Sequence, residues 1–434
     1  MMLRSLHIIA CMFLSIAVYA QGNTPSLVKS ETGKTYVFDE GKIQVTHLTR
    51  KQHNNWNDQS TLDSDINSPK SVSVSPDGTK YYINSLEGYK TVVYDQKTNN
   101  KLAVVTHKFS SKDSLIWAKP SGLYEFKREY TSPNTFSGKP VESCFSHGGR
   151  YVWIPYYRRS YDRNAVEPSA LAVIDTRTDR IIKLMETGAL PKMVASSPDG
   201  RFVAVSHWGE NTVGLINIES NNPDDWHYVE CFTIDYKLKL DFDPNVTVNR
   251  DNGSGYSLRG TCFTPDNRYL LVGCMGGIGA IAVIDLQTMQ YLGRVTGMMA
   301  NVRHLVIQDG WIYLSINNGG AVQRMRLDKF VGFFSSFANK RVKSEGWQTC
   351  RVPKGARTIS LTPDGQYIFA ACNFSSTLAI VKTDSFKLIG EIPVDSYPVG
   401  LDISNDGKTV YVTSQGRNDR GGNAVNLFKV EYIH

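Results

Sequence analysis

Short apolar runs recur at intervals along most of the 434-residue chain. Typical examples are "RFVAVS", which begins at Arg201, and "QYIFAA", which begins at Gln366. These runs are rich in β-branched and aromatic residues, whereas long apolar stripes with helical spacing are missing. The pattern therefore predicts an all-β protein.

A turn of the form Ser/Thr-Pro-Asp-Gly precedes these runs and divides the chain into repeats. A Gly/Asn-rich loop and two further strand patterns follow each run, so that each repeat predicts a four-stranded antiparallel meander with the turn as its first hairpin. The spacing of about 40 to 70 residues is typical of propellers and solenoids. Seven copies of the turn begin at Ser75, Ser146, Ser197, Thr264, Gln308, Thr362 and Ser404.

Seven meanders predict a closed ring of seven blades, because one meander cannot bury both of its faces alone. The last repeat starts at Pro398 and lacks an obvious fourth strand, while residues 34–48 form an unattached β-hairpin pattern. We therefore expect these N-terminal strands to complete the last blade. The prediction is one seven-bladed β-propeller domain over residues 21–434, with repeats from about residue 69.

The repeat itself resembles a known family. The phrase P-x-x-apolar-x-apolar-S-P-D-G, followed by apolar-x-V-I-D-x-x-T, is similar to the YVTN-type (YncE-like) seven-bladed β-propeller repeat over most of residues 69–434. This resemblance implies an exported propeller that binds or scaffolds, and it supplies no catalytic residues. "SHGG" at Ser146, the shortened "IQDG" at Ile307 and several long insertions depart from the pattern.

The N-terminus predicts export. Arg4 precedes an apolar stretch over residues 6–18, and small residues at Ala17 and Ala20 are typical of a signal peptide cut after Ala20. An alternative interpretation is lipidation at Cys11. No other segment is long and apolar enough to span a membrane, so we expect a bacterial protein of the periplasm, cell surface or extracellular space.

The long insertions are expected to share one face of the ring. Loops between second and third strands, and between one blade and the next, lie on the same face, here called the top face. Because loops lengthen where function is located, the top face is the functional candidate. The insertions at 110–139, 156–170, 236–257 and from Gly416 belong to it, whereas 330–348 lies on the opposite face.

A cation recurs six residues before the turn proline. Its position is the first residue of the innermost strand, at the mouth of the central channel, so the cations are expected to converge there. One hypothesis is an anion site. The alternative is packing with solvated ends, since this position shares its parity with apolar positions four and two residues before the proline. The cations are Lys70, Lys192, Arg259, Arg357 and, if the fifth copy has lost one residue, Arg303.

Aromatic and polar residues on the top-face loops extend this candidate site. They are a mixture typical of binding surfaces and predict an anionic small molecule, a glycan or a partner protein as ligand. The net charge of +7 has no polybasic run, which argues against nucleic acid, and we expect a monomer. These additional candidates are Tyr157, Arg158, His207, Trp208 and Phe374.

Catalytic signatures are missing from the sequence. There is no HxH, HExxH or G-x-S-x-G spacing, so no metal, cofactor or catalytic residue is predicted. A non-catalytic binding propeller is the first hypothesis, and a lactonase- or lyase-like propeller enzyme is the alternative by fold analogy. Equivalent positions two blades apart are too distant for disulfides, so we expect most of the six mature cysteines to be buried free thiols.

Overall fold

The computed structural model describes residues 31–53, 59–243, 245–416 and 422–433. The predicted signal peptide, Cys11 and most of the loop that follows Gly416 lie outside these ranges. Within them the chain forms 32 β-strands, one short α-helix (Leu327–Gly332) and several 3-10 turns. No helix among the described residues has both the length and the apolar character needed to cross a bilayer.

The strands form seven sheets, and each sheet is one blade built around four antiparallel strands. The predicted all-β seven-bladed propeller is therefore confirmed. The N-terminal strands are β1 (Thr35–Phe38) and β2 (Ile43–Gln52). Blade one contains β3 (Pro69–Val74), β4 (Lys80–Ser85), β5 (Lys90–Asp95) and β6 (Lys101–Thr106).

Blade two carries two additional short strands from the insertion that precedes it. These are β7 (Lys108–Phe109) and β8 (Phe136–Pro140), followed by β9 (Cys144–Ser146), β10 (Tyr151–Arg159), β11 (Ser169–Asp175) and β12 (Arg180–Thr187). Blade three contains β13 (Pro191–Ser196), β14 (Phe202–His207), β15 (Thr212–Asn217) and β16 (His227–Thr233). Blade four contains β17 (Leu258–Phe263), β18 (Tyr269–Cys274), β19 (Ala280–Asp285) and β20 (Gln290–Thr296).

Blade five has an insertion between its last two strands, as the sequence predicted. The insertion includes β24 (Arg341–Lys343), which pairs in parallel with β20 and so belongs to the sheet of blade four. Blade five contains β21 (Val302–Gln308), β22 (Trp311–Ile316), β23 (Ala321–Arg326) and β25 (Gln348–Arg351). Blade six contains β26 (Ala356–Leu361), β27 (Tyr367–Cys372), β28 (Thr377–Lys382) and β29 (Lys387–Pro393), and blade seven contains β30 (Pro398–Ile403), β31 (Thr409–Ser414) and β32 (Ala424–Tyr432).

The repeated turn stabilises the first hairpin of a blade by side-chain hydrogen bonds. In blade three, the Ser197 hydroxyl donates to Asp199 Oδ1 at 2.6 Å and accepts from the Phe202 backbone N–H at 2.9 Å. Gly200 has φ +74°, a conformation that favours glycine. These local bonds explain why Ser or Thr, Asp and Gly recur at the turn.

The ring closes through the N-terminal strands. Strand β2 pairs with β32 from Ile43 opposite Tyr432 to Gln52 opposite Ala424. It supplies the fourth strand of blade seven, and β1 lies outside it. Closure of the last blade by the N-terminus is therefore present in the structure.

Apolar side chains between neighbouring blades form the core. One cluster joins blades six and seven and includes Ile43 and Val45 of β2, both fully buried. Blades one and seven meet through Tyr81 and Tyr411, whose ring centroids are 4.7 Å apart. The blades therefore pack face to face around the axis, and their inner strands surround it.

Candidate basic cavity

Five inner strands begin beside one cavity of about 540 Å³ at the top of the ring. The structure brings the five predicted cations together in the wall of this cavity, although blades two and seven contribute none. They come from blades one, three, four, five and six and are Lys70, Lys192, Arg259, Arg303 and Arg357.

A β-bulge explains why these side chains reach the cavity. In blade three, Pro191 lies opposite His207 and Met193 lies opposite Ser206, so Lys192 has no partner in the neighbouring strand. The register shifts at the corresponding point of blades one, four, five and six. An extra residue in a strand re-aims its side chain relative to the regular alternation.

Because of the bulge, the alternation of side chains along the strand no longer argues that the five cations are packing residues. In an uninterrupted strand, Lys192 would share the face of Val194, which is buried in the apolar cluster between blades two and three. Because of the bulge, Lys192 does not share the face of Val194, and Lys192 lines the cavity instead. Sequence alone does not reveal the bulge, because it depends on the register between two strands.

Two carboxylates that the sequence analysis missed pair with cations of the cavity wall. Glu142 Oε1 accepts a hydrogen bond of 2.7 Å from Arg259 Nη2. Asp251, from the insertion between β16 and β17, places Oδ1 3.1 Å from Lys192 Nζ. Glu142 precedes the irregular inner strand of blade two, and Asp251 belongs to no repeat, so neither position stands out in the repeat alignment.

The cations act on one another through a shared electrostatic field. Burial lowers the pKa of Lys70 well below its ordinary value, and Arg357, Arg259 and Arg303 lower it further. The same physical causes, burial and then neighbouring arginines, lower the pKa of Lys192. Burial, together with the neighbouring positive charges, therefore disfavours protonation of both lysines.

Arg259 and Arg303 experience the same field with different compensation. Burial lowers the pKa of Arg259, while Glu142 opposes the shift. For Arg303, burial and the charges of Arg357 and Arg259 lower the pKa well below its ordinary value. Glu142 therefore offsets positive charge most directly at Arg259.

Two of the cations lack a carboxylate partner within the described residues. No Asp or Glu oxygen in that part of the chain lies within ion-pair distance of Lys70 or Arg303. Arg303 Nη1 donates to Met275 Sδ at 3.1 Å, and a thioether sulfur is a weak hydrogen-bond acceptor. Its Nε is buried and has no hydrogen-bond partner in the described ranges. Strong hydrogen-bond donors therefore face the cavity with unused capacity.

Aromatic residues enclose part of the same site. The Lys192 ammonium lies 4.0 Å from the centre of the Tyr157 ring and 5.3 Å from that of Trp208. Tyr157 donates a hydrogen bond to Asp251 Oδ2, and Trp208 Nε1 donates to the Asp251 carbonyl oxygen at 3.2 Å. Trp208 lines the cavity, as does Tyr397, which the sequence analysis did not select, whereas Tyr157 contacts Lys192 without being part of the cavity wall.

His207 does not face the cavity, contrary to the sequence-based expectation. It is fully buried within blade three, and its Nε2 and Nδ1 lie 2.8 and 2.9 Å from the hydroxyls of Thr187 and Thr212. Burial lowers its pKa to about 3. His207 is therefore a neutral structural residue that links blade three to Thr187 at the end of β12 in blade two.

Arg158 and Phe374 also fall outside the cavity wall. Arg158 donates to the carbonyl of Arg163 in its own loop and lies 5.6 Å from the centre of the Tyr157 ring. Phe374 lies behind Tyr397, with ring centroids 6.4 Å apart. Both side chains support cavity residues at most indirectly.

A larger cavity of about 660 Å³ lies beside the turns of blades six and seven, away from the basic cluster. Its lining carries more carboxylates than cations, and Lys382 is already paired there, with its Nζ 2.9 Å from Asp39 Oδ2. Nor do the described residues contain a cluster of three or more His, Cys, Asp or Glu side chains suited to a metal ion. The basic cavity is therefore the candidate site.

Comparisons with known proteins agree with this architecture. No curated protein matches the chain. Hydrazine synthase from Kuenenia stuttgartiensis matches with a TM-score of 0.58 and 14% identity over 87% of this chain and 99% of that chain. At this identity the likeness shows the fold alone. The family model described as "Lactonase, 7-bladed beta-propeller" matches residues 175–431, more than half of the chain, and the chain therefore belongs to the lactonase family of seven-bladed β-propellers.

Proposed function

We propose that the basic cavity binds a small anion that carries at least two negative charges. The observation behind this proposal is the meeting of five cations, each from a different blade, in the wall of one cavity. A bulge in the inner strand accompanies each of them, which gives the cluster a common structural basis.

The charge balance favours a multivalent anion. Glu142 pairs with Arg259 and Asp251 with Lys192, whereas Lys70 and Arg303 have no carboxylate partner in the described part of the chain, so positive charge remains in excess. Two unit charges about 4 Å apart interact by about 4 kcal/mol at an effective dielectric constant of 20. An anion between the cations replaces several such repulsions with attractions.

The shape of the site favours a small ligand over a glycan chain or a protein surface. Small-molecule sites usually enclose about 300 to 1,000 Å³, and this cavity of about 540 Å³ falls in that range. The cations lie inside the cavity rather than across an open face. A compact phosphate ester or di- or tricarboxylate has suitable size and charge.

Titration calorimetry with acetate, phosphate, pyrophosphate and citrate tests this function. We expect affinity to rise with ligand charge and to fall steeply with added salt. A Lys97→Gln control removes a cation from the exposed turn after β5 and is expected to bind like the wild type. The proposal would be contradicted if none of the four anions binds, or if the Lys97→Gln control binds them more weakly than the wild type.

Lactone hydrolysis is a second candidate, and the family match favours it. In this proposal, Glu142 accepts a proton from water as the water oxygen attacks the lactone carbonyl. The five cations of the cavity stabilise the oxyanion that forms. The acyl–oxygen bond of the lactone then breaks, and the oxygen that leaves takes up a proton to become an alcohol. A pH-stat assay with anionic lactones should show acid release that Glu142→Gln abolishes. Release equal to the buffer background would reject this candidate.

We also propose that the protein is exported and that its repeats are of the YVTN type. The sequence of residues 1–20 supports export, and the recurring turn and V-I-D phrases support the repeat type. N-terminal sequencing of the protein from its native host is expected to start at Gln21. Recovery of intact Met1 in the cytoplasmic fraction would contradict export.

A further inference from the structure

Asp251 makes contacts with the cavity that resemble those of a bound carboxylate. Its Oδ1 lies 3.1 Å from Lys192 Nζ, and its Oδ2 accepts a hydrogen bond from the Tyr157 hydroxyl. The two oxygens therefore face one cation and one neutral donor. A carboxylate of a ligand that lies in the same place can accept hydrogen bonds from the same two donors.

Asp251 differs from Glu142 in how it is held. The Glu142 side chain is 14% exposed beside Arg259, whereas the Asp251 side chain remains 51% exposed while touching Lys192. Glu142 is thus enclosed beside Arg259 as its counter-charge. Asp251 lies on the solvent-exposed side of Lys192 and Tyr157, where a solute can approach both side chains.

The loop of Asp251 has anchors that do not involve its carboxylate. The neighbouring Arg250 donates to the carbonyl oxygens of Lys239 and Gly253, at 2.5 and 2.8 Å. Trp208 contacts the backbone of Asp251, not its side chain. Loss or displacement of the carboxylate therefore leaves the principal supports of the loop in place.

From these contacts we infer that Lys192 and Tyr157 form a carboxylate subsite, which Asp251 fills and from which a carboxylate of the ligand displaces it. This inference rests on the proposed function and specifies part of the ligand. The ligand carries a carboxylate that lies at Lys192 and Tyr157 and a further anionic group directed to Lys70 and Arg303.

Competition by Asp251 has a measurable consequence. Any ligand carboxylate must replace contacts that Asp251 already makes, so the internal carboxylate lowers the apparent affinity by the strength of its own interaction. Removing it should make the subsite available even to a simple carboxylate. Acetate is the appropriate probe because it has one carboxylate and little else.

Acetate titration of Asp251→Ala tests the inference. We expect acetate to bind this variant at least about tenfold more tightly than the wild type, which is within the usual range for coupled sites. Asp241→Ala is the matched control, because it removes an exposed carboxylate from the same loop without touching the cavity. The gain should be absent from this control and lost when Lys192→Met is added to Asp251→Ala.

Parallel titrations with pyrophosphate distinguish the subsite from the cavity function. If wild type binds pyrophosphate but Asp251→Ala gains no acetate affinity, the subsite is refuted and the proposed function stands. If neither protein binds any anion, both fail. Asp251→Ser, whose side chain is too short to fill the subsite, replaces the alanine variant if the latter melts below the assay temperature; unchanged acetate affinity in it likewise overturns the inference.

Discussion

Arg259 Nη2 donates a hydrogen bond of 2.7 Å to Glu142 Oε1 and joins two blades that have a third blade between them. Arg259 is the second residue of the inner strand of blade four, and Glu142 precedes the inner strand of blade two. Both side chains are largely enclosed, at 5% and 14% exposure. This pair therefore links blades two and four and is more buried than the Lys192–Asp251 pair.

Glu142→Gln should destabilise the protein, because it leaves Arg259 buried without its carboxylate. Removing one partner of a buried ion pair typically costs about 3 to 5 kcal/mol, so we expect a Tm several degrees below that of the wild type. Pyrophosphate should recover part of the loss by replacing the missing negative charge. Thermal melts with and without pyrophosphate measure both effects, and an unchanged Tm would show that the pair contributes little.

Substitution in the closing strand should open the ring. Val45→Asp places a charge at a fully buried position of β2, whereas Val37→Asp changes a residue of β1 that is 54% exposed. The first variant is expected to lower Tm strongly, as is deletion of residues 21–50, because blade seven loses its fourth strand. The second should melt close to the wild type. Similar melting of both point variants would contradict closure through β2.

Stability should decline as the pH falls below neutrality. Burial lowers the pKa of His107 and His207 to about 3, and that of His47 and His304 to about 4. Above about pH 6.5 these residues are neutral in both folded and unfolded chains. Below it the unfolded chain binds protons that the folded chain excludes, so unfolding becomes easier by about 1.4 kcal/mol per pH unit for each histidine.

Thermal melts between pH 7.5 and pH 5 measure this dependence. His107→Gln should reduce the slope of Tm against pH, since one of the buried histidines no longer titrates on unfolding. His227→Gln, at an exposed position, should leave the slope unchanged. Equal slopes in the wild type and His107→Gln would show that His107 does not contribute.

The cysteines should be free and unreactive in the folded protein. All six described cysteines lack disulfide partners, and burial raises the pKa of Cys262 and Cys274 to about 12. Because the thiolate is the reactive form, a disulfide reagent should modify the native protein slowly. After denaturation without reductant it should detect about six thiols. Three disulfides found by mass spectrometry would contradict this expectation.

The fold was predictable because its signal is local. The Ser-Pro-Asp-Gly turn forms its hydrogen bonds among residues two to five apart, as Ser197, Asp199 and Phe202 show. The apolar alternation that follows depends on immediate neighbours. Repetition of such local signals revealed the number of blades, and the missing last strand revealed the closure.

The site was only partly predictable because it depends on distant contacts. The recurring cation before each turn was visible, but the bulge at Lys192 depends on pairing between β13 and β14. Asp251 meets Lys192 from 59 residues away, and His207 is buried by Thr187, which lies 20 residues before it. Neither relation has a local sequence pattern.

Titration of pyrophosphate into the wild type and the Lys70→Gln/Arg303→Gln double variant tests the central claim most directly. These cations have no carboxylate partner among the described residues, so their loss should relieve repulsion and leave Tm unchanged or raised. Each charge-assisted contact contributes about 1.5 to 3 kcal/mol, so we expect at least about a hundredfold weaker binding. Unchanged affinity together with a markedly lower Tm would instead show that the cations serve packing and that the cavity is not an anion site.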